Sequence, residues 1–196
     1  MRASEDRYHR DRLRMRVALR FLKLRARTNT IIAWTGLSED RIRKMYRTYL
    51  KDDGPNPKWR PRGKSPRRVS YFWQNARVQQ EANWIASLFA LLGVIPLGQT
   101  SERRYVLPNL TRGTLMCKAF DMYRKLIPSA AIPFEYAVFL VNTLTVGEQL
   151  KVGACTECGC LVILDPTLTH SKCCHYCSMP RSWNAAPDSR TRLARG

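Results

Sequence analysis

Acidic residues are scarce in this chain: 15 Asp and Glu stand against 34 Lys and Arg, a formal charge of +19 over 196 residues. Such a field repels basic partners and attracts polyanions, of which nucleic acid and anionic membrane are the usual ones. Long hydrophobic runs are also missing. The longest, WIASLFALLGVIP at 84–96, falls well short of the roughly 20 residues of a spanning helix. It reads as a buried helix end, and no membrane is expected among the partners. The first residues are charged and carry no apolar run of a signal peptide, which gives the expectation of a cytoplasmic protein. There is no internal repeat. No clustered carboxylate pair and no Cys/His nucleophile arrangement is found, so the chain is expected not to be an enzyme.

What is present is a globular composition, with 44% hydrophobic and 10% aromatic residues. The charge is uneven: residues 1–80 carry 22 Lys and Arg against 7 Asp and Glu, whereas 81–196 carry 12 against 8. Within the basic part, residues 8–29 place Leu13, Val17, Phe21 and Leu24 at helical spacing with arginines on most other faces, an amphipathic basic helix.

The stretch TIIAWTGLSEDRIRKMYRTYL follows, at 30–50. Ile32, Leu37, Ile42 and Met45 surround Gly36, the spacing of a helix-turn-helix with glycine in the turn. Ser38 is placed to cap the second helix, with Glu39 and Asp40 in its electropositive first turn. Ile42, Met45, Tyr46 and Tyr49 form an inward stripe, which leaves Arg43, Lys44, Arg47 and Lys51 on the outer side. A basic outer face suits a recognition helix in the major groove, with Ser38, Arg41 and Arg43 nearest to base edges and Lys44 and Arg47 within reach of bases or phosphates. Residues 51–70 then hold four prolines, two glycines and seven basic residues. They read either as a solvated loop or as an arm that tracks phosphates through Lys58, Arg60, Arg62, Lys64, Arg67 and Arg68, with Trp59 as an apolar anchor.

Further helices are expected over 71–92, with Phe72, Asn75, Gln79, Ala82, Ile85, Phe89 and Leu92 on or near one face; over 114–127, with Leu115, Ala119, Met122, Tyr123 and Leu126 inward; and from Pro133 to about Thr145. Glu102 and Glu135 read as surface charges. Short strands are expected in LKVGAC and CLVILD, one on each side of a cysteine pair. Residues 179–196 have no hydrophobic period and read as a flexible tail.

Six of the seven cysteines lie within 154–177. Cys155 and Cys158 form one CxxC hook, Cys174 and Cys177 another, and the two hooks together suit a tetrahedral ion, Zn2+ first. Gly159 follows the first hook, where a positive φ lets backbone N–H groups aim at sulfur. Cys160 would point away from the ion if it begins a strand, and Cys173 lies just before its hook, so both read as packing or supporting groups. Other registers stay open: Cys158 with Cys160, Cys173 with Cys177, His170 or His175 in place of a thiolate, or a six-thiolate cluster with two ions. Four thiolates close the shell, so the ion would fold its module and perform no chemistry.

The order of these features, with GLSEDRIRKMYR, the Pro-rich basic segment leading into YFWQNARVQQEANW, and CTECGC…CCHYC, resembles the bacterial flagellar transcriptional regulator FlhC family over roughly residues 10–178. The resemblance implies a DNA-binding transcriptional activator, hetero-oligomeric with the small helical protein FlhD, acting at promoters of flagellar and other operons by recruiting RNA polymerase. It also implies that Cys155, Cys158, Cys174 and Cys177 hold one structural zinc ion. The chain departs from the family in its arginine-rich N-terminal helix and in the additional Cys173. The reading is of a mainly α protein: a helical body at 1–150 that binds DNA and partner, a zinc-ribbon-like module at 151–178, and a tail. A zinc-ribbon RNA-binding or ribosome-associated protein is the alternative.

Overall fold

The computed structural model of the chain describes residues 2–50, 63–96, 107–167 and 172–178, with side chains from residue 6 onward. Its elements are α1 (Arg2–Lys23), α2 (Thr28–Thr35), α3 (Glu39–Tyr49), a 3-10 turn (Val69–Trp73), α4 (Ala76–Leu91), α5 (Asn109–Leu126), α6 (Phe134–Val146), β1 (Lys151–Ala154), β2 (Leu161–Leu164) and the single turn α7 (His175–Ser178). The fold is mainly α, with a two-stranded antiparallel hairpin and a cysteine cluster near its C-terminal end that is compatible with a small zinc-binding module. Among the described residues, no helix is long and apolar enough to cross a membrane.

One hydrophobic core joins the helices. Val17, Ala18, Phe21 and Leu22 of α1 are buried against α2 and α5, and Phe21 meets the rings of Trp34 and Phe134 at centroid distances of 6.0 and 5.1 Å. The basic helix is therefore amphipathic, as its pattern predicts, but it stops at Lys23 rather than near Asn29. Arg25 sits at φ 60°, and the bonds Ala26 N–H to Phe21 O (2.8 Å) and Arg25 N–H to Leu22 O (3.0 Å) close a Schellman motif. No glycine marks this stop, which is why the sequence hides it. The helix expected over 71–92 is likewise two pieces. Asn75, expected on the apolar face, is exposed and accepts the Val78 N–H at 2.9 Å, capping α4. On α5 the inward face is Met116, Cys117, Ala119, Phe120 and Tyr123; Met122 and Leu126, expected inward, are exposed.

Three buried polar groups tie the helices together. Glu81 of α4, 2% exposed, accepts from Tyr123 Oη, from the Ala131 N–H at 2.7 Å and from Arg77 Nε at 2.9 Å. Glu135 is no surface charge. It is buried, and its carboxylate accepts the Arg27 N–H at 2.6 Å and the Thr30 hydroxyl at 3.1 Å, capping α2 from across the core. Position Arg27 makes no side-chain cap of its own, so α2 begins where α6 supplies the acceptor. Arg112 is buried as well. It donates to the Val94 carbonyl at 2.8 Å and to Thr145, and its guanidinium lies 5.3 Å from the centre of the Trp34 ring. Burial pulls its pKa below the usual arginine value.

Candidate metal centre and basic helix-turn-helix face

The metal centre begins with the hairpin. β1 and β2 pair antiparallel, with Val152 opposite Ile163 and Gly153 opposite Val162. Gly153 leaves room for a close approach: a Cβ there would meet Leu164 Cδ1 at 2.5 Å and Cγ at 3.2 Å, so the Leu164 side chain would have to shift. Between the strands, Gly159 N–H donates to Cys155 O at 2.9 Å and Cys155 N–H to Cys160 O at 2.8 Å, the closed turn of a knuckle. Gly159 adopts φ 72°, as expected of the residue after a hook. The chain 172–178 then returns to the hairpin, with Thr156 N–H bonded to Lys172 O at 3.0 Å.

This brings the sulfurs together. The Sγ atoms of Cys155, Cys158, Cys160 and Cys174 all lie within 4.8 Å of one another, and Cys158 and Cys174 are 3.8 Å apart. A tetrahedral ion bound by sulfur at about 2.3 Å separates its ligands by about 3.8 Å, so these four thiols fit a metal ion. Three are those expected: Cys155, Cys158 and Cys174. Cys160, expected to point away, belongs to the group. It precedes β2 instead of opening it, so strand alternation does not turn it outward. Cys177, expected as the fourth ligand, is not among the four sulfurs that lie within 4.8 Å of one another, but it stands beside them: its N–H points at Cys174 Sγ at 3.4 Å. Cys173 lies beside Cys155 in the supporting position expected of it. All seven cysteines are free thiols.

The electrostatics suit a cation. Backbone N–H groups of Cys174 (3.2 Å) and Cys158 aim at the Cys155 sulfur and hold its pKa down at about 5. The Cys160 N–H, with the Cys160 and Cys177 thiols, lowers Cys158. Cys177 is pushed up because its proton serves the Cys158 and Cys174 sulfurs. The shifts of Cys155 and Cys158 both favour the thiolate form that a bound cation requires.

The hairpin is fastened to the helical body. Asn83 of α4 is buried, and its Oδ1 accepts the Ile163 N–H at 2.9 Å. Ile163 and Leu150 belong to the main core, and α7 packs on α4. Asn83 carried no sequence signal as an anchor, because an asparagine on a helix face reads as solvated until a strand edge is placed opposite it.

The helix-turn-helix elements are α2, the Gly36 turn and α3. Gly36 has φ 68° and donates to Ile32 O at 2.8 Å; there is open space where a Cβ would stand, so glycine is needed for the backbone conformation alone. Leu37, Ile42 and Met45 are buried as expected, Tyr46 is half-buried, and Tyr49, expected inward, is 57% exposed. Ser38 occupies the N-cap position with its carbonyl accepting the Ile42 N–H at 3.1 Å, but its side chain makes no capping bond. Arg43, Lys44 and Arg47 are exposed on the outer side. Arg43 pairs with Glu39 at 2.8 Å, and Arg41 turns to α1, pairing with Asp11 at 3.0 Å. Lys64, Arg67 and Arg68 are exposed. Lys51, Lys58, Trp59, Arg60, Arg62, Glu102, His170 and the segment 179–196 lie outside the described residues.

No protein-family model matches the chain, and no curated protein matches its sequence. The likeness to the FlhC family therefore rests on the motifs quoted above.

Proposed function

We propose that this chain is a DNA-binding transcriptional activator that docks α3 in the major groove of promoter DNA. The observation that carries the reading is the α2–Gly36–α3 unit: a left-handed glycine turn, Ile42 and Met45 buried, and Arg43, Lys44 and Arg47 displayed together on the face turned from the core. The formal charge of +19 supplies the phosphate-directed attraction, and α1 places further arginines beside the same unit. The cysteine centre is read as structural and zinc-bound. Its thiolates close a shell around the ion, and Asn83 and Ile163 tie it to α4, so the ion would brace the C-terminal face of the body. Following the resemblance, the partners are FlhD in a hetero-oligomer and RNA polymerase, the promoters those of flagellar and other operons, and the compartment the cytoplasm.

The test is footprinting and titration of operator-bearing duplex by the full chain with its partner, against RNA of matched length as competitor. Affinity for duplex falls steeply with salt, and Arg47→Ala or Lys44→Ala costs specific binding about 1–3 kcal/mol if the residue reads a base. Operator binding untouched by both substitutions removes α3 as the recognition helix. Equal preference for RNA moves the reading to the ribosome-associated alternative.

A further inference from the structure

α1 and α3 leave a groove of about 590 Å3 between them, within the size range of small-molecule sites. Its floor is Met15 and Leu19 of α1, both half-buried, and the buried Met45 of α3. Tyr8 and Tyr49 also line it and are 61% and 57% exposed, so each keeps ring surface within reach of a ligand. Asp11 is the acid among the described lining residues, and it is already engaged, by Arg41 at 3.0 Å and by Arg14 at 3.7 Å. Arg12 and Arg16, one turn apart on α1, line the same groove, and neither pairs with an acid among the described residues. The Arg12 guanidinium lies 5.7 Å from the centre of the Tyr8 ring, which sets a cation beside an aromatic face.

We infer that this groove binds a free nucleotide, with its base on the apolar floor beside the tyrosines and its phosphates on Arg12 and Arg16. Simpler ligands fit the lining less well. Inorganic phosphate would leave the floor in water, and a purely apolar ligand would cover two guanidiniums without supplying an anion. An extended peptide adds to a sheet edge through backbone hydrogen bonds, and two packed helices present no such edge. A nucleotide carries both parts. Its base has a π face for ring and thioether contacts, and a di- or triphosphate can span the roughly 6 Å between residues four apart along a helix. The groove is separate from the face proposed to read DNA. Arg41, Met45 and Tyr49 stand at i, i+4 and i+8 on α3 and form one stripe, whereas Arg43 and Arg47 form another. The inference therefore goes beyond the recognition-helix reading and does not rest on it. A nucleotide seated there bridges α1 and α3.

The experiment titrates the metal-loaded full chain by calorimetry with three probes: ATP, adenosine and tripolyphosphate. ATP should bind more tightly than either fragment. Tyr49→Ala should weaken it about 5- to 150-fold, the loss of one base–aromatic stack, and Arg16→Gln about 10- to 150-fold, the loss of a charged hydrogen bond. Tyr49→Phe keeps the ring and should bind as the native chain does. Arg124→Gln removes the same charge from an exposed position on α5 and should leave binding unchanged. Circular dichroism should show intact helices in every variant, since Arg16, Tyr49 and Arg124 are all exposed. Tripolyphosphate binding as tightly as ATP, or equal losses in Arg16→Gln and Arg124→Gln, would reduce the effect to the general field of a basic chain and overturn the site. Adenosine binding as tightly as ATP would remove the arginines from it and overturn it too. An oligothymidylate that binds and is weakened by Tyr49→Ala, where ATP does not bind, would assign the groove to a nucleic-acid strand and overturn the free nucleotide.

Discussion

Asn83→Ala isolates the joint between the cysteine hairpin and the helical body. In the native structure Asn83 is 6% exposed and Ile163 7% exposed, and the 2.9 Å bond from Ile163 N–H to Asn83 Oδ1 is what the outer edge of β2 has in place of a third strand. Removing the acceptor does not merely delete a bond of about 1 kcal/mol; it orphans a buried N–H, which costs about 1–3 kcal/mol. Pairing of β1 with β2 and the thiol cluster are not touched, so the loss falls on docking of the hairpin to α4. The assay is amide hydrogen exchange on the metal-loaded full chain. Protection of the Ile163 amide should fall about 5- to 150-fold, the same energy read at 1.4 kcal/mol per factor of ten. Amides in α2 and α5 should keep their native protection. Ser87→Ala serves as the control: Ser87 lies one turn along the same helix, and its hydroxyl donates to the Asn83 carbonyl rather than to the hairpin. Unaltered Ile163 protection in Asn83→Ala, or an equal loss in Ser87→Ala, would refute the anchoring role.

Gly36→Ala should destabilise the chain by about 1–2 kcal/mol in urea titration, the torsional cost of a side chain at positive φ where nothing obstructs the Cβ; a neutral result would mean the turn relaxes freely. Gly153→Ala should weaken metal retention by opening the hairpin, at about 1–3 kcal/mol of overpacking, and trimming the obstacle with Leu164→Ala should restore it; failure of that rescue would dissociate the clash from the effect. Glu81 carries a pH dependence. Burial alone would raise its pKa, but the bonds from Tyr123, Arg77 and the Ala131 N–H outweigh that and hold it below its ordinary 4.5. A carboxyl depressed in the folded state stabilises the fold above the unfolded value and loses that contribution as pH falls through the folded one. Glu81→Gln should therefore cost about 2 kcal/mol at neutral pH, the scale of a charged hydrogen bond, and should flatten the loss of stability on acidification below about pH 4.5; an acid limb as steep as the native one would locate that loss elsewhere.

Several elements were legible in the chain itself, because they depend on local spacing. The helix-turn-helix follows from Gly36 set among Ile32, Leu37, Ile42 and Met45, a period and a turn residue that neighbours alone dictate. The hairpin follows from two short apolar runs that flank a CxxC, and the concentration of six cysteines marks the centre before any fold is known. The ends of helices were less legible. Asn75 reads equally as a face residue or a cap, and Arg25 occupies a conformation that composition assigns to glycine.

Other features come from groups brought together across the chain, and no local pattern encodes them. Glu135 reads as a surface acid, yet it caps α2 from 108 residues away, because the start of α6, where the Phe134 ring meets Phe21, places its carboxylate at the Arg27 N–H. Asn83 became an anchor only when β2 was laid against α4. Sulfur choice follows the same rule: spacing can pair cysteines within a hook, but which thiols converge depends on how the turn at Gly159 and the return of residues 172–178 aim them. That is why Cys160, which precedes β2 rather than opening it, joins the cluster. Periodicity fixes which side of an element is apolar; distances between elements belong to the packed chain, and the chemistry of this centre lives in those distances.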